Sequence, residues 1–259
     1  MEIIKTCTYN IRYDNLGDNN WGWAQRCEHI LNMIKLEKFD ILGVQEALPH
    51  QLESLKTIET YNFFGISRDG DTNQDEYNGI FYKKERFDKI DNGYFWLSKT
   101  PDTPSLYEGA GCKRICVWVM LLDKITNKKI VFAVTHLDNL SEEARVYGAN
   151  LIIEKLSKYY ENYPFVLMGD FNSFTTDTVY KNMSNIFSEV KVVSNFNPRG
   201  TFTSDADFYV NSNAEEQEID FIFINNHINV KNINILRNSF NDKYISDHFP
   251  VVANLYYKK

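Results

Sequence analysis

The chain has 259 residues, with 28 basic and 35 acidic side chains and a formal net charge of −7. Proteins that grip long nucleic acids usually present a basic stripe, and no such run of Lys or Arg occurs here. No stretch approaches the roughly 18 apolar residues that a membrane-spanning helix needs. The composition therefore disfavours a protein that binds long nucleic acids. It also disfavours a protein that acts in or on a membrane.

The N-terminal segment and the cysteines predict a cytoplasmic protein. The first five residues run directly into a strand pattern and lack the basic start and apolar core of a signal peptide. The four cysteines have no metal-knuckle or redox spacing, so we expect reduced, partly buried thiols. No linker, low-complexity block or internal repeat interrupts the chain. We predict one domain over residues 1–259 and leave the oligomeric state open.

Short apolar or alternating runs predict strands at residues 3–11, 41–44, 79–82, 117–122, 130–135, 165–168, 219–224 and 251–256. Helical patterns cover residues 24–38 and 51–56, and a third helix begins after Ser141, a predicted N-cap. The strands are too closely spaced for regular βαβ crossovers. The pattern therefore predicts an α/β fold, a four-layer α-β-β-α sandwich of two packed, mainly antiparallel sheets flanked by helices.

Polar side chains follow several of the predicted strands. Asp170 and Asn172 come after an apolar run, and because residues two apart in extended backbone point the same way, they can meet the same ligand. Taken alone, Asp and Asn at such a place are common turn formers. Other strand ends carry an amide at Asn10, a carboxylate at Glu46 and an imidazole at His136. Together these groups can converge on one rim of the sandwich.

A second acidic and histidine set lies near the C-terminus. Asp220 interrupts an apolar run, and a buried carboxylate there needs a partner. We predict His248 as that partner, with Asp220 fixing its tautomer and stabilising its charged form. Asp247 and His248 are adjacent, so both can serve one centre only if their segment is a turn, which Pro250 allows.

The order and spacing of these motifs resemble the endonuclease/exonuclease/phosphatase superfamily of metal-dependent phosphohydrolases, which includes deoxyribonucleases, abasic-site endonucleases, deadenylases, sphingomyelinases and sugar- or inositol-phosphate phosphatases. The match runs essentially end to end, although each motif is weak by itself. In chain order it passes through Tyr9-Asn10, Gln45-Glu46, Asn78-Gly79-Ile80, Arg114, Thr135-His136, Gly169-Asp170-Phe171-Asn172, Ile219-Asp220-Phe221 and Ser246-Asp247-His248.

The resemblance implies a divalent-metal cofactor and a separate role for each catalytic side chain. Glu46 is expected to bind the ion, with Asn10 and Asp247 as nearby metal-site residues. Hard oxygen ligands suit Mg²⁺ or Mn²⁺. Asp170 is expected to align or deprotonate the attacking water, and Asn172 to donate to a phosphate oxygen. His248, held by Asp220, would add positive charge, and His136 would stabilise the phosphate or assist the leaving oxygen.

The substrate is predicted less directly. Arg114 is a candidate clamp for a phosphate, and Asn78 and Asp138 are further expected substrate contacts. Inositol phosphatases of the superfamily carry an Arg two residues beyond the Asn of Gly-Asp-x-Asn, where this chain has Phe174. With a net acidic chain and no hairpin insertion of the sphingomyelinase kind, we expect a phosphatase acting on a small phosphorylated metabolite such as a sugar phosphate. A nuclease acting on DNA or RNA and a non-catalytic binding module are the alternatives.

Overall fold

The computed structural model describes residues 2–70, 74–194, 200–205, 208–210, 212 and 214–258. Its strands, in chain order, are β1 Ile4–Asn10, β2 Ile41–Ala47, β3 Tyr61–Ser67, β4 Tyr77–Lys83, β5 Phe87–Trp96, β6 Ile115–Asp123, β7 Lys128–His136, β8 Phe165–Asp170, β9 Ser188–Glu189, β10 Phe202–Thr203, β11 Glu216–Gln217, β12 Asp220–Ile224, β13 Ile228–Ile235, β14 Ser239–Phe240, β15 Lys243–Tyr244 and β16 Val251–Tyr257. The helices are a 3-10 helix at Leu16–Trp21, α1 Trp23–Glu37, α2 Pro49–Lys56, α3 Glu142–Tyr160, α4 Thr178–Ser184 and α5 Val190–Val193.

The main strands form two six-stranded sheets. The first has the order β13-β16-β1-β2-β4-β3, and the second has the order β5-β6-β7-β8-β12-β9. In each sheet one central pair is parallel, β1 with β2 and β7 with β8, and the other pairs are antiparallel. Because parallel neighbours end at the same edge, the carboxyl ends of these four strands are brought to one side of the molecule.

The two sheets pack face to face, and helices cover their outer faces. Apolar side chains from both sheets, among them Ile41 and Phe132, form the layer between them. Contact is close there: a Cβ atom added to Gly43 would meet Cγ2 of Val134 at 2.6 Å. The outer face of the first sheet packs on α1 and α2, and that of the second packs on α3 and α4. The predicted four-layer sandwich is confirmed.

The predicted helices are present with small shifts at their ends. Ser141 is the N-cap of α3, where its side chain accepts a hydrogen bond from the backbone N–H of Ala144 at 3.1 Å. Helix α1 ends before Lys38, which adopts a left-handed conformation. Helix α2 begins two residues earlier than predicted, at Pro49, a residue favoured in a first helical turn.

Three long strands were not predicted, namely β3, β5 and β13. β3 and β5 are edge strands, and so is β13. In β5 the residues from Asp88 to Asn92 include a run of four exposed positions and an irregular register, so the alternation of apolar and polar residues is lost. Within the described residues the cysteines are all free thiols, buried at Cys7 and Cys116. No described helix is long and apolar enough to cross a membrane.

Candidate active site

The polar residues that follow the central strands meet at one rim of the sandwich. Asn10 and Glu46 lie at the ends of β1 and β2 in the first sheet. His136 and Asp170 end β7 and β8 in the second sheet, where they are paired in register, and Asp220 lies opposite Asp170 at the start of β12. The site therefore straddles the junction between the two sheets.

Asp247 and His248 reach the same rim from the segment that precedes β16. Residues 245–247 form a bend, so the two adjacent side chains both face the site. A cavity of about 360 Å³ opens at this rim. Its lining combines carboxylates, histidines, three arginines and two aromatic rings: Arg12, Glu46, Arg114, His136, Asn139, Arg145, Asp170, Asn172, Phe174, Phe202, Gln217, Ile219, Asp247 and His248.

Glu46, Asp170 and His248 form the centre of the site. One ligand atom from each lies within 4.8 Å of the other two. The amide nitrogen of Asn10 joins them, donating to Oε1 of Glu46 at 2.8 Å and to Oδ2 of Asp170 at 3.1 Å. The backbone N–H of Tyr13 donates to the other Glu46 oxygen at 3.1 Å. Two carboxylates are thus held side by side by neutral donors.

His248 is paired with a buried carboxylate. Its Nδ1 lies 2.9 Å from Oδ2 of Asp220, and its Nε2 lies 3.6 Å from Oδ2 of Asp170. Burial opposes a charged imidazole, but the carboxylates of Asp220 and Asp170 outweigh it and raise the pKa of His248 to about 10. Burial also raises the pKa of Asp170 to about 7, with the charge of Asp220 adding to the effect. His248 is therefore a fixed cation beside a carboxyl group that titrates near neutrality.

His136 contacts the guanidinium of Arg114, whereas His248 contacts carboxylates. Nη1 of Arg114 lies 3.0 Å from Nδ1 of His136, and Nε2 of His136 faces Oδ2 of Asp170 at 3.3 Å. Burial and the neighbouring charge of Arg114 lower the pKa of His136 well below its usual value. The amide nitrogen of Asn172 lies 3.1 Å from Nε2 of His136. This side of the site therefore offers a neutral imidazole and an amide.

Arg12 links the first sheet to the C-terminal segment. Its guanidinium donates to Asp18 at 2.9 Å and to Asp247 at 2.9 Å. Arg26, whose side chain is fully buried, donates to the backbone carbonyls of residues 11, 12, 21 and 245. The charge of Arg12 is consequently neutralised by carboxylates, and the loops that bear Asn10 and Asp247 are tied together.

Two residues of the site have unusual backbone. Glu46 has φ of 64° and Asn172 has φ of 45°, values that non-glycine residues adopt rarely. Gly169, with φ of 150°, packs so closely on the preceding strand that a Cβ atom would clash with the carbonyl oxygen of Thr135. These conformations aim Glu46, Asp170 and Asn172 at the cavity.

The donor set fits a hard divalent cation. Glu46 and Asp170 contribute carboxylate oxygens, the ligands that Mg²⁺ and Mn²⁺ prefer. The imidazole of His248 is engaged by Asp220 and carries a proton, which leaves the oxygens as the ion ligands. The site holds the carboxylates of Glu46, Asp170, Asp220 and Asp247 against the cations of His248 and Arg12, so a further positive charge is favourable there.

Asn10 and Asp247, the two residues predicted near the metal, are both held by hydrogen bonds to Arg12. The amide oxygen of Asn10 accepts the backbone N–H of Arg12 at 3.0 Å, so its amide nitrogen faces the carboxylates. Oδ2 of Asp247 is engaged by the Arg12 guanidinium. In this structure both residues orient the site, and Asp170, predicted as a base, lies in the ligand cluster itself.

The predicted substrate contacts Asn78 and Asp138 do not line the cavity, whereas Arg114 does. Asn78 is buried and donates to the carbonyl of Ile115 at 3.2 Å. The two oxygens of Asp138 accept four backbone N–H bonds, from residues 111, 112, 140 and 141, which hold its pKa below the usual range against the effect of burial. Asn78 therefore joins β4 of the first sheet to β6 of the second, and Asp138 orders the loops at residues 111–112 and 140–141.

Several cavity residues were missed by sequence reasoning, notably Arg12, Arg145, Asn139 and Phe202. Arg12 lies two residues beyond Asn10 on the same strand end, a spacing that could have indicated it. Arg145 lies one turn into the helix capped by Ser141, which brings it toward the cavity. The three arginines also show that a net acidic chain can still gather cations at one place.

Comparisons with known proteins agree with this geometry. The chain matches the model of the Endonuclease/Exonuclease/phosphatase family over residues 7–248, which confirms the resemblance drawn from the motifs. No curated protein gives a significant match. Among solved structures, a functionally unknown conserved protein from Enterococcus faecalis is 34% identical, with a TM-score of 0.92 over 98% of this chain and 100% of that chain.

Two further structures extend the comparison. A mannosyl-6-phosphatase from Bacteroides thetaiotaomicron is 32% identical, with a TM-score of 0.91 over 98% of this chain and 99% of that chain. The catalytic domain of human Nocturnin, with a bound sulfate anion, is 21% identical, with a TM-score of 0.78 over 99% of this chain and 94% of that chain, and shares the fold. The chain therefore belongs to the endonuclease/exonuclease/phosphatase family, whose members are phosphoester hydrolases.

Proposed function

We propose that this protein is a Mg²⁺- or Mn²⁺-dependent phosphatase that hydrolyses a small phosphorylated metabolite such as a sugar phosphate. The observation that carries the proposal is the cluster of Glu46, Asp170 and His248, with ligand atoms within 4.8 Å of one another in a cavity of about 360 Å³. Phosphoryl transfer needs in-line placement and neutralisation of charge on the phosphate oxygens, and this cluster supplies charged groups of both signs.

Glu46 and Asp170 are the residues that would hold the divalent ion. A bound ion of this kind supplies positive charge to the phosphate oxygens and to the departing oxygen. Glu46 suits this role because hydrogen bonds from Asn10 and the N–H of Tyr13 fix both of its oxygens. The charge of His248 and these bonds also lower the pKa of Glu46 despite its burial, so it stays ionised at neutral pH.

The remaining residues position the water and the phosphate. Asp170 aligns the attacking water beside the ion that it would help to hold. His248, kept cationic by Asp220, stabilises the negative charge on the phosphate oxygens in the transition state. His136 and Asn172, on the opposite side of Asp170, provide neutral polar contacts to the phosphate oxygens.

The size of the cavity and the similarity to a mannosyl-6-phosphatase support a small substrate. A volume of about 360 Å³ lies at the lower end of the range of about 300–1,000 Å³ that small-molecule pockets occupy. Of the three arginines at the cavity, Arg12 is paired with Asp18 and Asp247, whereas Arg114 lies against His136 and is the arginine that attracts the phosphate. A short substrate needs no extended basic surface.

Phosphate release from a panel of sugar phosphates, nucleotides and other metabolites tests the proposal. We expect turnover with Mg²⁺ or Mn²⁺, loss of turnover with EDTA, and a decrease of about 1,000-fold or more for Asp170→Asn. An absence of turnover on every member of the panel, with metal present and the protein folded, would overturn it.

A nuclease is the second candidate, favoured by Phe174 at the cavity, since an exposed aromatic ring can also stack on a base. It predicts cleavage of plasmid or oligonucleotide with a steep salt dependence. Efficient metabolite hydrolysis with no cleavage of any nucleic acid would exclude it. Turnover that disappears in Glu46→Ala would exclude a non-catalytic binding module.

A further inference from the structure

Part of the cavity lining does not belong to the acidic centre, the cluster of Glu46, Asp170 and His248. Phe174, Asn139 and Arg145 line the cavity, yet within the described residues none of them hydrogen-bonds to Glu46, Asp170 or His248. A phosphatase must also bind the part of its substrate that is not phosphate. These side chains are available for that purpose.

Arg145 has unused hydrogen-bonding capacity. Its Nη1 donates to the backbone carbonyl of Asp138 at 3.0 Å, which fixes the guanidinium against the loop before α3. Its buried Nε has no partner, and no carboxylate of the described chain lies within 4.0 Å of it. Arg12, by contrast, is engaged by two carboxylates. Arg145 therefore presents a planar set of donors that the protein itself does not satisfy.

Asn139 and Arg114 extend this planar donor surface. The amide oxygen of Asn139 accepts from Nη2 of Arg114 at 3.3 Å, which orients its amide nitrogen away from Arg114. Asn139 is exposed, and its amide nitrogen has no bond to another described residue. Amide and guanidinium donors in one cavity can donate to two hydroxyl groups of a sugar ring, each of which accepts a hydrogen bond.

Phe174 supplies an apolar surface in the same cavity. It is 45% exposed although it is a large apolar side chain, and it lines the cavity. Its backbone is fixed, because its N–H donates to Oδ2 of Asp177 at 2.8 Å and the hydroxyl of Ser173 donates to the same oxygen at 3.2 Å. An exposed ring on a fixed loop is suited to contact one flat, apolar face of a ligand.

We propose that Phe174, Asn139 and Arg145 form a subsite for the pyranose ring of a hexose phosphate. Phe174 contacts the C–H face of the ring, and Arg145 and Asn139 donate to neighbouring ring hydroxyls. The phosphate ester then extends to the acidic centre. The assignment rests on the proposed phosphatase function, and it names the residues that select a sugar over other phosphorylated compounds.

The test compares a hexose 6-phosphate with ethyl phosphate, which has the same ester bond but no ring. For Phe174→Ala, Phe174→Leu and Arg145→Met, we expect kcat/KM for the hexose phosphate to fall about 10- to 100-fold, mainly through KM, and that for ethyl phosphate to change about 2-fold or less. Leu140→Ala is the matched control, because Leu140 is 72% exposed beside Asn139 and does not line the cavity. Circular dichroism and thermal unfolding confirm that each variant is folded.

Three outcomes would overturn the subsite. Equal losses on both substrates would show that these residues act on the phosphate or on the structure, while the phosphatase function would stand. A preference of the wild type for nucleoside monophosphates that disappears in Phe174→Ala would assign the surface to a base. Hydrolysis of neither ester by the wild type with metal would remove the subsite, and the phosphatase function would then depend on the result of the metabolite panel.

Discussion

Arg114 determines the tautomer of His136. A guanidinium can only donate hydrogen bonds, so Nδ1 of His136, which lies 3.0 Å from Nη1 of Arg114, must be the acceptor. The imidazole proton is then on Nε2, which faces Oδ2 of Asp170 at 3.3 Å, and the amide nitrogen of Asn172 donates to the carbonyl of Leu137 and not to this Nε2. The other histidine of the site has the opposite arrangement, because its Nδ1 faces the carboxylate of Asp220. One site thus contains one neutral and one cationic imidazole, each fixed by the charge of its partner.

Replacing Arg114 should change the protonation of His136. In Arg114→Met the neighbouring positive charge is lost, so we expect the pKa of His136 to rise and its tautomer to become mixed. Nitrogen-15 NMR of labelled histidine measures both properties at pH 6 to 8, and activity should fall about 10- to 100-fold. Lys113→Met, which removes a neighbouring charge without a bond to His136, is the control. An Nε2–H tautomer that persists in Arg114→Met would contradict this role.

Metal binding should depend on Glu46. In Glu46→Gln we expect the affinity for Mn²⁺, measured by calorimetry or electron paramagnetic resonance, to weaken about 10-fold or more, because a charged oxygen ligand is replaced by an amide. Glu53→Gln is the control, since the Glu53 side chain on α2 is 70% exposed and pairs only with Lys56 on the surface. Equal affinities in wild type and Glu46→Gln would place the ion elsewhere.

Arg26 should be essential for stability. In Arg26→Met the carbonyls of residues 11, 12, 21 and 245 lose their shared donor in a buried place, and we expect the free energy of unfolding to fall by about 3–5 kcal/mol. Urea unfolding measures the change. Lys56→Met, which removes an exposed ion pair with Glu53 and a cation–π contact with Phe63, should cost about 1 kcal/mol or less. Similar small effects of both substitutions would show that the carbonyls find other donors.

Glu189 should make stability depend on pH. Burial, with the nearby charge of Glu218, raises the pKa of Glu189 to about 7 in the folded protein, above the ordinary value of 4.5. Between these values the folded state binds more protons than the unfolded state, so the contribution of this group to stability is full below about pH 4.5 and is lost as the pH rises to about 7.

Glu189→Gln should remove that dependence while keeping an acceptor for the N–H groups of Lys191 and Val192. Relative to wild type, we expect the variant to gain about 2–3 kcal/mol between pH 4.5 and pH 8. Chemical unfolding at both pH values measures this gain. Parallel pH profiles for the two proteins would show that Glu189 has an ordinary pKa.

The sequence predicted the buried strands and the residues that end them, because these strands are continuous apolar runs and their polar ends stand out. The edge strand β5 escaped prediction because solvent on one side leaves its residues free to be polar. The different roles of Asp138 and Arg145 could not be predicted, since they depend on loop conformation. Asp138 binds four backbone N–H groups, whereas Arg145 reaches the cavity from a helix.

The division of the site between two sheets has a mechanical consequence. Asn10 and Glu46 move with one sheet, and His136 and Asp170 move with the other, so the distances between them are set by how deeply the sheets interlock. Gly43 lies at that interface, against Val134. A bulkier residue at position 43 would therefore push the two sheets apart. The distances between the reacting groups would change, although no residue that a ligand contacts would be altered.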